Sequence, residues 1–244
     1  MKFNGSFIHT LIRKYLYDEM SVYAAQASFF IILAVFPFFM LLLCMVNLTP
    51  LLQESDLLEG LTAIFPDNLD ALLITILHDV KTSASTALLS ASALTAIWSS
   101  SKGMLSIERG LNKVYGIEVS RNYFFRRLIC SGYTLLYTCF CAISLVLRGI
   151  NSAIMIIFSI LSFYVILPYQ KQSVIQQIPG TIFTTVGWIA FSRAFSFYFR
   201  HFNSYHPMYG SLTTIILLML WLYFSFCILF IGAEINSVLD ILQK

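Results

Sequence analysis

The sequence carries too little charge for the surface of a soluble domain. Charged residues make up 11% of its 244 residues, whereas an ordinary soluble domain has about a quarter. Hydrophobic residues reach 58%, with 22 Phe and 13 Tyr, and so few polar groups cannot cover the outside of a domain this size. The composition therefore excludes a typical water-soluble protein and predicts that lipid covers most of the surface.

The sequence also lacks the patterns that indicate metal sites, disulfide frameworks or catalytic clusters. All five cysteines fall within apolar stretches, where neither a disulfide pattern nor a ligand spacing can be recognised. His201 and His206 lie five residues apart, but no third ligand accompanies them. We therefore expect no catalytic residues, no bound metal and no cofactor, and we do not expect an enzyme.

Six long apolar runs are spaced along the chain. A helix needs about 20 apolar residues to cross roughly 30 Å of hydrocarbon. The runs cover residues 27–48, 84–101, 128–147, 152–169, 178–199 and 210–238. They predict an all-α, polytopic membrane helix bundle with six transmembrane helices. Because no linker or internal repeat divides the chain, a single domain over residues 1–244 is expected.

The placement of Lys and Arg predicts which side of the membrane holds the termini. Connections between spans carry an excess of these cations on the cytoplasmic side. With six spans, eleven of them fall on the side of both termini and three on the opposite side. The largest group lies in the connection after the second span, between residues 102 and 127. Both termini are therefore expected in the cytoplasm.

Two segments have the periodicity of helices that lie along a membrane surface. Residues 7–16 place apolar side chains at helical spacing beside Arg13 and Lys14, which suits the anionic cytoplasmic surface. Residues 69–80 show a similar spacing on the outer side. An ordinary amphipathic helix packed on the bundle is an equally good interpretation of each segment.

Arg193 and Glu234 are ionisable residues inside the apolar runs, where charge is costly. Arg193 lies near the outer end of the fifth run, where it either reaches the outer headgroups or faces inward and binds phosphate oxygens. Glu234 lies with Asn236 near the cytoplasmic end of the sixth run, and Lys102 or an arginine of the second connection is its expected partner. A salt bridge that fixes helix packing and a proton-coupling role both remain open for Glu234.

Proline and glycine mark candidate bends and close contacts between the spans. Pro37 lies inside the first run, and Pro179 and Gly180 open the fifth. Gly232 in the sixth run allows another helix to approach closely. Small residues repeat four apart in the second run, which permits tight packing, a polar-lined path, or contact between copies in a homo-oligomer.

Four sequence blocks follow one another in an order that is typical of a known family. The first span reads AAQASFFIILAVFPFF, and residues 97–128 read IWSSSKGMLSIERGLNKVYGIEVSRNYFFRRL. The fifth span opens with IPGTIFTTVGW, and the sixth runs from YGSLTTII to LFIGAEINSVL. These blocks resemble the YihY/BrkB family of bacterial inner-membrane proteins, formerly named ribonuclease BN. The resemblance implies six transmembrane helices and a location in the bacterial inner membrane, and some members have been connected with envelope lipid handling.

Three functions from different classes follow, in order of preference. The first is a transporter or flippase-like protein for an anionic envelope lipid, in which Arg193 attracts the headgroup within a cavity between helices. The second is an envelope scaffold or regulatory membrane protein without transport activity. The third is the ribonuclease of the older family name. Because the basic segment 102–127 is better explained by topology and lipid headgroups than by RNA, membrane lipids are the expected partners and nucleic acid is not.

Overall fold

The computed structural model describes residues 7–48, 86–119, 122–146, 152–170, 172–201 and 211–243. Within these ranges the regular secondary structure consists of seven α-helices, and no strand occurs in them. The helices are α1 (Phe7–Tyr17), α2 (Met20–Leu48), α3 (Thr86–Val114), α4 (Tyr123–Val146), α5 (Ser152–Ile166), α6 (Val174–His201) and α7 (Ser211–Gln243). The all-α fold class predicted from the sequence is confirmed.

Each of the six apolar runs coincides with one of the helices α2 to α7, but several helices extend beyond the runs. α3 continues through polar residues to Val114, because side chains such as Glu108 and Asn112 are buried against neighbouring helices. Among the described residues, one helical stretch, Ile215–Ile241, is long and apolar enough to cross a membrane, and Met20–Ala34 and Ile156–Ile166 are shorter apolar helices. The count of six spans therefore stays a prediction.

The bundle is built around α7 and α3. α2 lies along α3, α6 lies along α7, and α7 also contacts α1, α2 and α3. The main core contains Met20, Leu111, Tyr164 and Phe230, all fully buried. A smaller cluster around Trp221 fills the space between α6 and α7 nearer the start of α7. Residues far apart in the chain thus share one core.

The outer surface of the bundle is strongly apolar. Large hydrophobic side chains on α4 and α6 stand well exposed, among them Phe124 at 78%, Leu128 at 69% and Ile175 at 77%. So many large exposed hydrophobic side chains are unusual on a monomeric soluble protein, because water solvates them poorly. Hydrocarbon solvates such side chains well, so the outside of the bundle is suited to a lipid environment.

α1 turns its polar face toward the bundle and its apolar face outward. Thr10 and Lys14 are buried, whereas Ile8, Ile12 and Leu16 are 65%, 54% and 67% exposed. Both sets recur four residues apart, so they mark opposite faces of the helix. A helix on a soluble protein buries its apolar face instead. The first amphipathic segment thus packs on the bundle through its polar face, while residues 69–80 lie outside the described residues.

α6 and α7 come into close contact at two glycines. A Cβ atom added at Gly180 would collide with the carbonyl oxygen of Gly232, and one added at Gly232 would collide with the hydroxyls of Tyr164 and Thr184. Pro179 lies inside α6 directly before this contact, and Pro37 lies inside α2. The absence of side chains at both glycines therefore sets how closely the two helices approach.

Replacing Gly232 with alanine should lower the thermal denaturation midpoint of the detergent-solubilised protein. The added methyl group overpacks the contact between α6 and α7, at a cost on the order of 1–3 kcal/mol. Gly132→Ala is the matched control, because a Cβ at this α4 position meets nothing within 4 Å. The control should unfold at the parent midpoint or slightly above it, and equal midpoints for both variants would contradict the packing argument.

Candidate functional site

A buried cluster of one lysine and two carboxylates joins α1 to α7. The Lys14 Nζ lies 2.6 Å from Glu234 Oε2 and 2.9 Å from Asp18 Oδ2. It also donates to the carbonyl of Val114 at 2.7 Å, and the hydroxyl of Ser237 donates to the same carbonyl at 3.0 Å. Because Val114 ends α3, its carbonyl has no partner within the helix. One ammonium group therefore holds three helices together.

The cluster is unbalanced in charge and in hydrogen bonding. With both carboxylates ionised, one positive charge faces two negative charges. The side chain of Glu234 is completely buried, and its second oxygen, Oε1, makes no hydrogen bond within the described structure. Both features are costly, because buried charges need compensation and buried acceptors need donors.

The prediction of the residue that pairs with Glu234 was wrong. Its ion pair is formed with Lys14 of α1 and not with Lys102 or an arginine of the second connection. The Nζ of Lys102 instead lies 5.1 Å from the centroid of the Phe30 ring, between α3 and α2. A local signal for Lys14 exists in the sequence: the polar residues Thr10, Lys14 and Asp18 repeat four apart, which marks a polar face on α1.

Two arginines of the second connection have other contacts. Arg126 NH2 lies 3.0 Å from Glu108 Oε2 in an ion pair between α4 and α3. Arg127 lies over Trp98, with its guanidinium carbon 3.4 Å from the ring centroid, and donates to the Trp98 carbonyl at 3.0 Å. Both side chains therefore fasten α4 to α3.

Asn236 and Gln177 form a second buried polar group beside the lysine cluster. Asn236 Oδ1 accepts from the backbone N–H of Gly180 at 2.6 Å, and its Nδ2 donates to Gln177 Oε1 at 2.8 Å. The Tyr115 hydroxyl donates to the same Gln177 oxygen at 2.6 Å. Burial raises the pKa of Tyr115 well above its usual value, so the phenol stays protonated as a donor. These bonds join α7 to the start of α6.

A cavity of about 420 Å³ lies next to both polar groups. Its volume is within the range of small-molecule sites. Its charged lining residues are Lys14, Lys113, Asp18 and Asp240, and three glutamines and Asn236 supply amide donors and acceptors. Most of the lining residues therefore carry polar groups that are balanced in formal charge, and these groups can bind a polar headgroup. Glu234 is not part of the lining and lies behind Lys14.

Arg193 lies far from this cavity. Its side chain is exposed on α6, sixteen residues beyond Gln177, which corresponds to about 24 Å along a helix. It lines neither the 420 Å³ cavity nor a smaller apolar cavity of about 130 Å³ between α4 and α5. Arg193 and Glu234 therefore belong to different parts of the protein.

In the part of the chain that the structure describes, no three His, Cys, Asp or Glu residues are grouped to hold a metal ion.

In the described residues, regular structure that is entirely helical, an apolar exterior and polar groups kept inside define a helical membrane protein. The chain belongs to the Virulence factor BrkB family, whose model matches residues 11–243. The resemblance seen in the sequence blocks is thereby confirmed.

Individual relatives agree with this assignment. The ribonuclease-like protein YfkH of Bacillus subtilis (strain 168) is 30% identical over an alignment 267 residues long, gaps included, which covers 98% of this chain and 97% of YfkH. The UPF0761 membrane protein PSHAa0171 of Pseudoalteromonas translucida (strain TAC 125) is 31% identical over 77 residues, covering 32% of this chain and 26% of that protein. A UPF0761 membrane protein of Aeromonas salmonicida (strain A449) is 31% identical over 91 residues, covering 36% and 31%. No solved structure matches the chain.

Removing the shared cation should destabilise the bundle strongly. Lys14→Met leaves Glu234 and Asp18 buried without compensation, and breaking a buried ion pair from one side costs about 3–5 kcal/mol. The thermal denaturation midpoint in detergent should fall clearly below that of the parent. Lys113→Met is the matched control, because the Lys113 side chain lines the same cavity but is exposed. Similar midpoints for the two variants would mean that Lys14 does not hold the helices together.

Proposed function

We propose that this protein is a multi-pass protein of the bacterial inner membrane, with six spans and both termini in the cytoplasm. We propose further that it moves an anionic, amphipathic envelope lipid and that it is not an enzyme. Membrane lipids are then its partners and nucleic acid is not. The observation that carries the proposal is the polar cavity beside the outward-facing apolar surface of α1.

The make-up of the cavity supports the proposed topology. Its lining comes from four separate parts of the chain: α1, the end of α3 with the turn that follows, the start of α6, and the end of α7. In a six-span arrangement with cytoplasmic termini, all four fall on the cytoplasmic side. If one span were added or removed between two of these parts, those two parts would lie on opposite sides of the membrane and could not line one cavity.

The surroundings of the cavity suit a lipid molecule with two dissimilar ends. Lys113 has an exposed side chain on the cavity wall and offers a cation to a headgroup phosphate. The glutamine and asparagine amides offer both donors and acceptors to hydroxyl groups. On the outer face of α1, Ile8, Ile12 and Leu16 offer an apolar surface to acyl chains.

Of the two roles expected for Arg193, the contact with the outer headgroups fits its position better than a place in the cavity. In the proposed topology its exposed side chain lies near the outer end of α6, about 24 Å from Gln177 along the helix axis. At that depth the guanidinium reaches the outer headgroups. We therefore propose that Arg193 contacts anionic headgroups at the outer surface and takes no part in the cytoplasmic cavity.

A scaffold without transport activity is the second candidate, and the close contact between Gly180 and Gly232 favours it. Helices packed this tightly resist separation, which suits a rigid platform for other envelope proteins or for further copies of the chain.

The name of YfkH attaches a ribonuclease-like description to that relative. We assign no such activity to this chain.

Reporter fusions should place the C-terminal end of the chain in the cytoplasm and the connection at Arg148 on the opposite side of the membrane. A fluorescent protein that folds only in the cytoplasm should be bright when fused after Lys244, and alkaline phosphatase fused there should be inactive. Fusions after Arg148, in the connection between the third and fourth runs, should behave in the opposite way. A bright fluorescent fusion at Arg148 would contradict the six-span topology.

Filling the mouth of the cavity should slow lipid movement several-fold. The assay uses liposomes of phosphatidylethanolamine and phosphatidylglycerol, with labelled phosphatidylglycerol and a membrane-impermeant quencher. Gln176→Trp places a large ring where an exposed glutamine now lines the cavity. Gln170→Trp is the matched control, because Gln170 is exposed and lies outside the lining. A parent protein that moves no lipid would reject transport and favour the scaffold.

A further inference from the structure

We propose that Lys14, Asp18 and Glu234 form a proton-binding site that exchanges one proton with the cavity. Through this exchange, headgroup binding in the cavity, and with it lipid movement, depends on the pH of the water in the cavity. The coupling rests on the proposed function, whereas the proton site rests on the geometry of the cluster alone. The two parts can therefore fail separately.

The charge of the cluster is the first argument. Lys14 lies within 2.6 Å and 2.9 Å of the two carboxylates, and Lys14, Asp18 and Glu234 are at most 9% exposed. One negative charge is left uncompensated away from water, which is costly. A proton taken from water in the cavity converts one carboxylate to a neutral carboxylic acid and brings the cluster to zero net charge. Loss of that proton to the cavity restores the original state.

The free oxygen of Glu234 is the second argument, and it is independent of the charge. Oε1 is buried and makes no hydrogen bond in the described structure, whereas Oε2 is held by Lys14. Both carboxyl groups contact the same Lys14 ammonium, so they are neighbours in the cluster. A protonated Glu234 is a donor as well as an acceptor, so a proton there supplies a hydrogen bond between the two carboxyl groups.

The position of the cavity provides the path for the proton. Asp18 and Lys14 line the cavity, whereas Glu234 lies behind them. Asp18 is therefore the first carboxylate that a proton from the cavity meets, and Glu234 is the second. The proposed topology places this opening on the cytoplasmic side.

In the described structure, Lys113 is a further cation near the cluster, but Asp240 on the same cavity wall balances it, so the excess negative charge remains. Burial raises the pKa of Tyr15 on α1 and of Tyr115 after α3, so both phenols stay neutral. α6 contributes the neutral amides of Gln176 and Gln177 to the cavity wall. The other titratable side chains around the cluster and the cavity include Tyr17 at the end of α1, Tyr23 on α2, Lys113 at the end of α3, and Tyr223, Cys227 and Asp240 on α7.

Proton uptake also changes what Lys14 can bind. While both acids are ionised, the ammonium is held between them and the Val114 carbonyl. Once one acid is neutral, Lys14 is drawn less strongly to the cluster and can attract a headgroup phosphate in the cavity. Proton binding and binding of an anionic headgroup then strengthen each other by the same factor, because linkage is reciprocal.

An infrared titration of the purified protein in lipid nanodiscs tests the proton site without any transport. Between about pH 5 and pH 9, a range that includes the shifted titrations of buried carboxyl groups, the parent should gain the band of one protonated carboxylic acid as the pH falls. Glu234→Gln and Asp18→Asn should both lose this band, because each leaves Lys14 with a single carboxylate. Glu118→Gln, at an exposed position outside the cavity, is the control and should keep it.

Two variants are used so that the test still gives an answer if one of them fails to fold. Asp18→Asn alters an acid at the cavity edge and leaves the fully buried Glu234 in place. A parent protein with no titrating band in this range would overturn the proton site. A band that persists in both Glu234→Gln and Asp18→Asn would overturn it as well.

The liposome assay at two pH values, each the same on both sides of the membrane, tests the coupling. The parent should move labelled phosphatidylglycerol several-fold faster at the lower pH, and Asp18→Asn should move it at one rate at both values. Parent movement that ignores the pH would overturn the coupling and leave the proposed transport intact. A titrating carboxyl group in a parent that moves no lipid would reject the proposed function and the coupling, but would leave the proton site standing.

Discussion

The rest of the structure depends on one buried ion pair, between Lys14 and Glu234. It joins helices 220 residues apart in the chain, and the same ammonium closes the end of α3 through the Val114 carbonyl. An apolar pair at this place would hold the helices equally well or better, because desolvating two charges is costly. The retention of charge here, beside a cavity, is what makes the cluster a candidate for function as well as for packing.

The distribution of apolar side chains follows from the lipid environment. Inside the bundle, contact is made by glycines and by polar groups that satisfy one another, as between Asn236, Gln177 and the Gly180 amide. Outside, large hydrophobic residues are exposed. α1 obeys the same rule at the edge of the bundle, with polar residues inward and Ile8, Ile12 and Leu16 outward. Lipid reverses the usual arrangement of a surface helix, because the solvent is apolar on one side.

The sequence was sufficient to predict the helices but only part of the site. Apolar runs of about 20 residues identify α2 to α7, because spanning length is a local property. The need of Glu234 for a cation was likewise predictable from its cost in an apolar helix. The identity of that cation was not, because the four-residue spacing around Lys14 marks a polar face on α1 but does not say which distant helix that face contacts. Burial of the α1 polar stripe, visible only in the fold, selects Lys14 over Lys102.

The contact between α1 and α7 also has a consequence for biosynthesis. The ribosome makes Lys14 early and Glu234 more than two hundred residues later. Lys14 therefore has no ion pair with Glu234 while the intervening helices are inserted into the membrane. During that interval α1 can rest on the membrane surface by its apolar face, with Lys14 still in water. The bundle closes only when α7 arrives, and a chain cut short before Glu234 keeps a separated first helix.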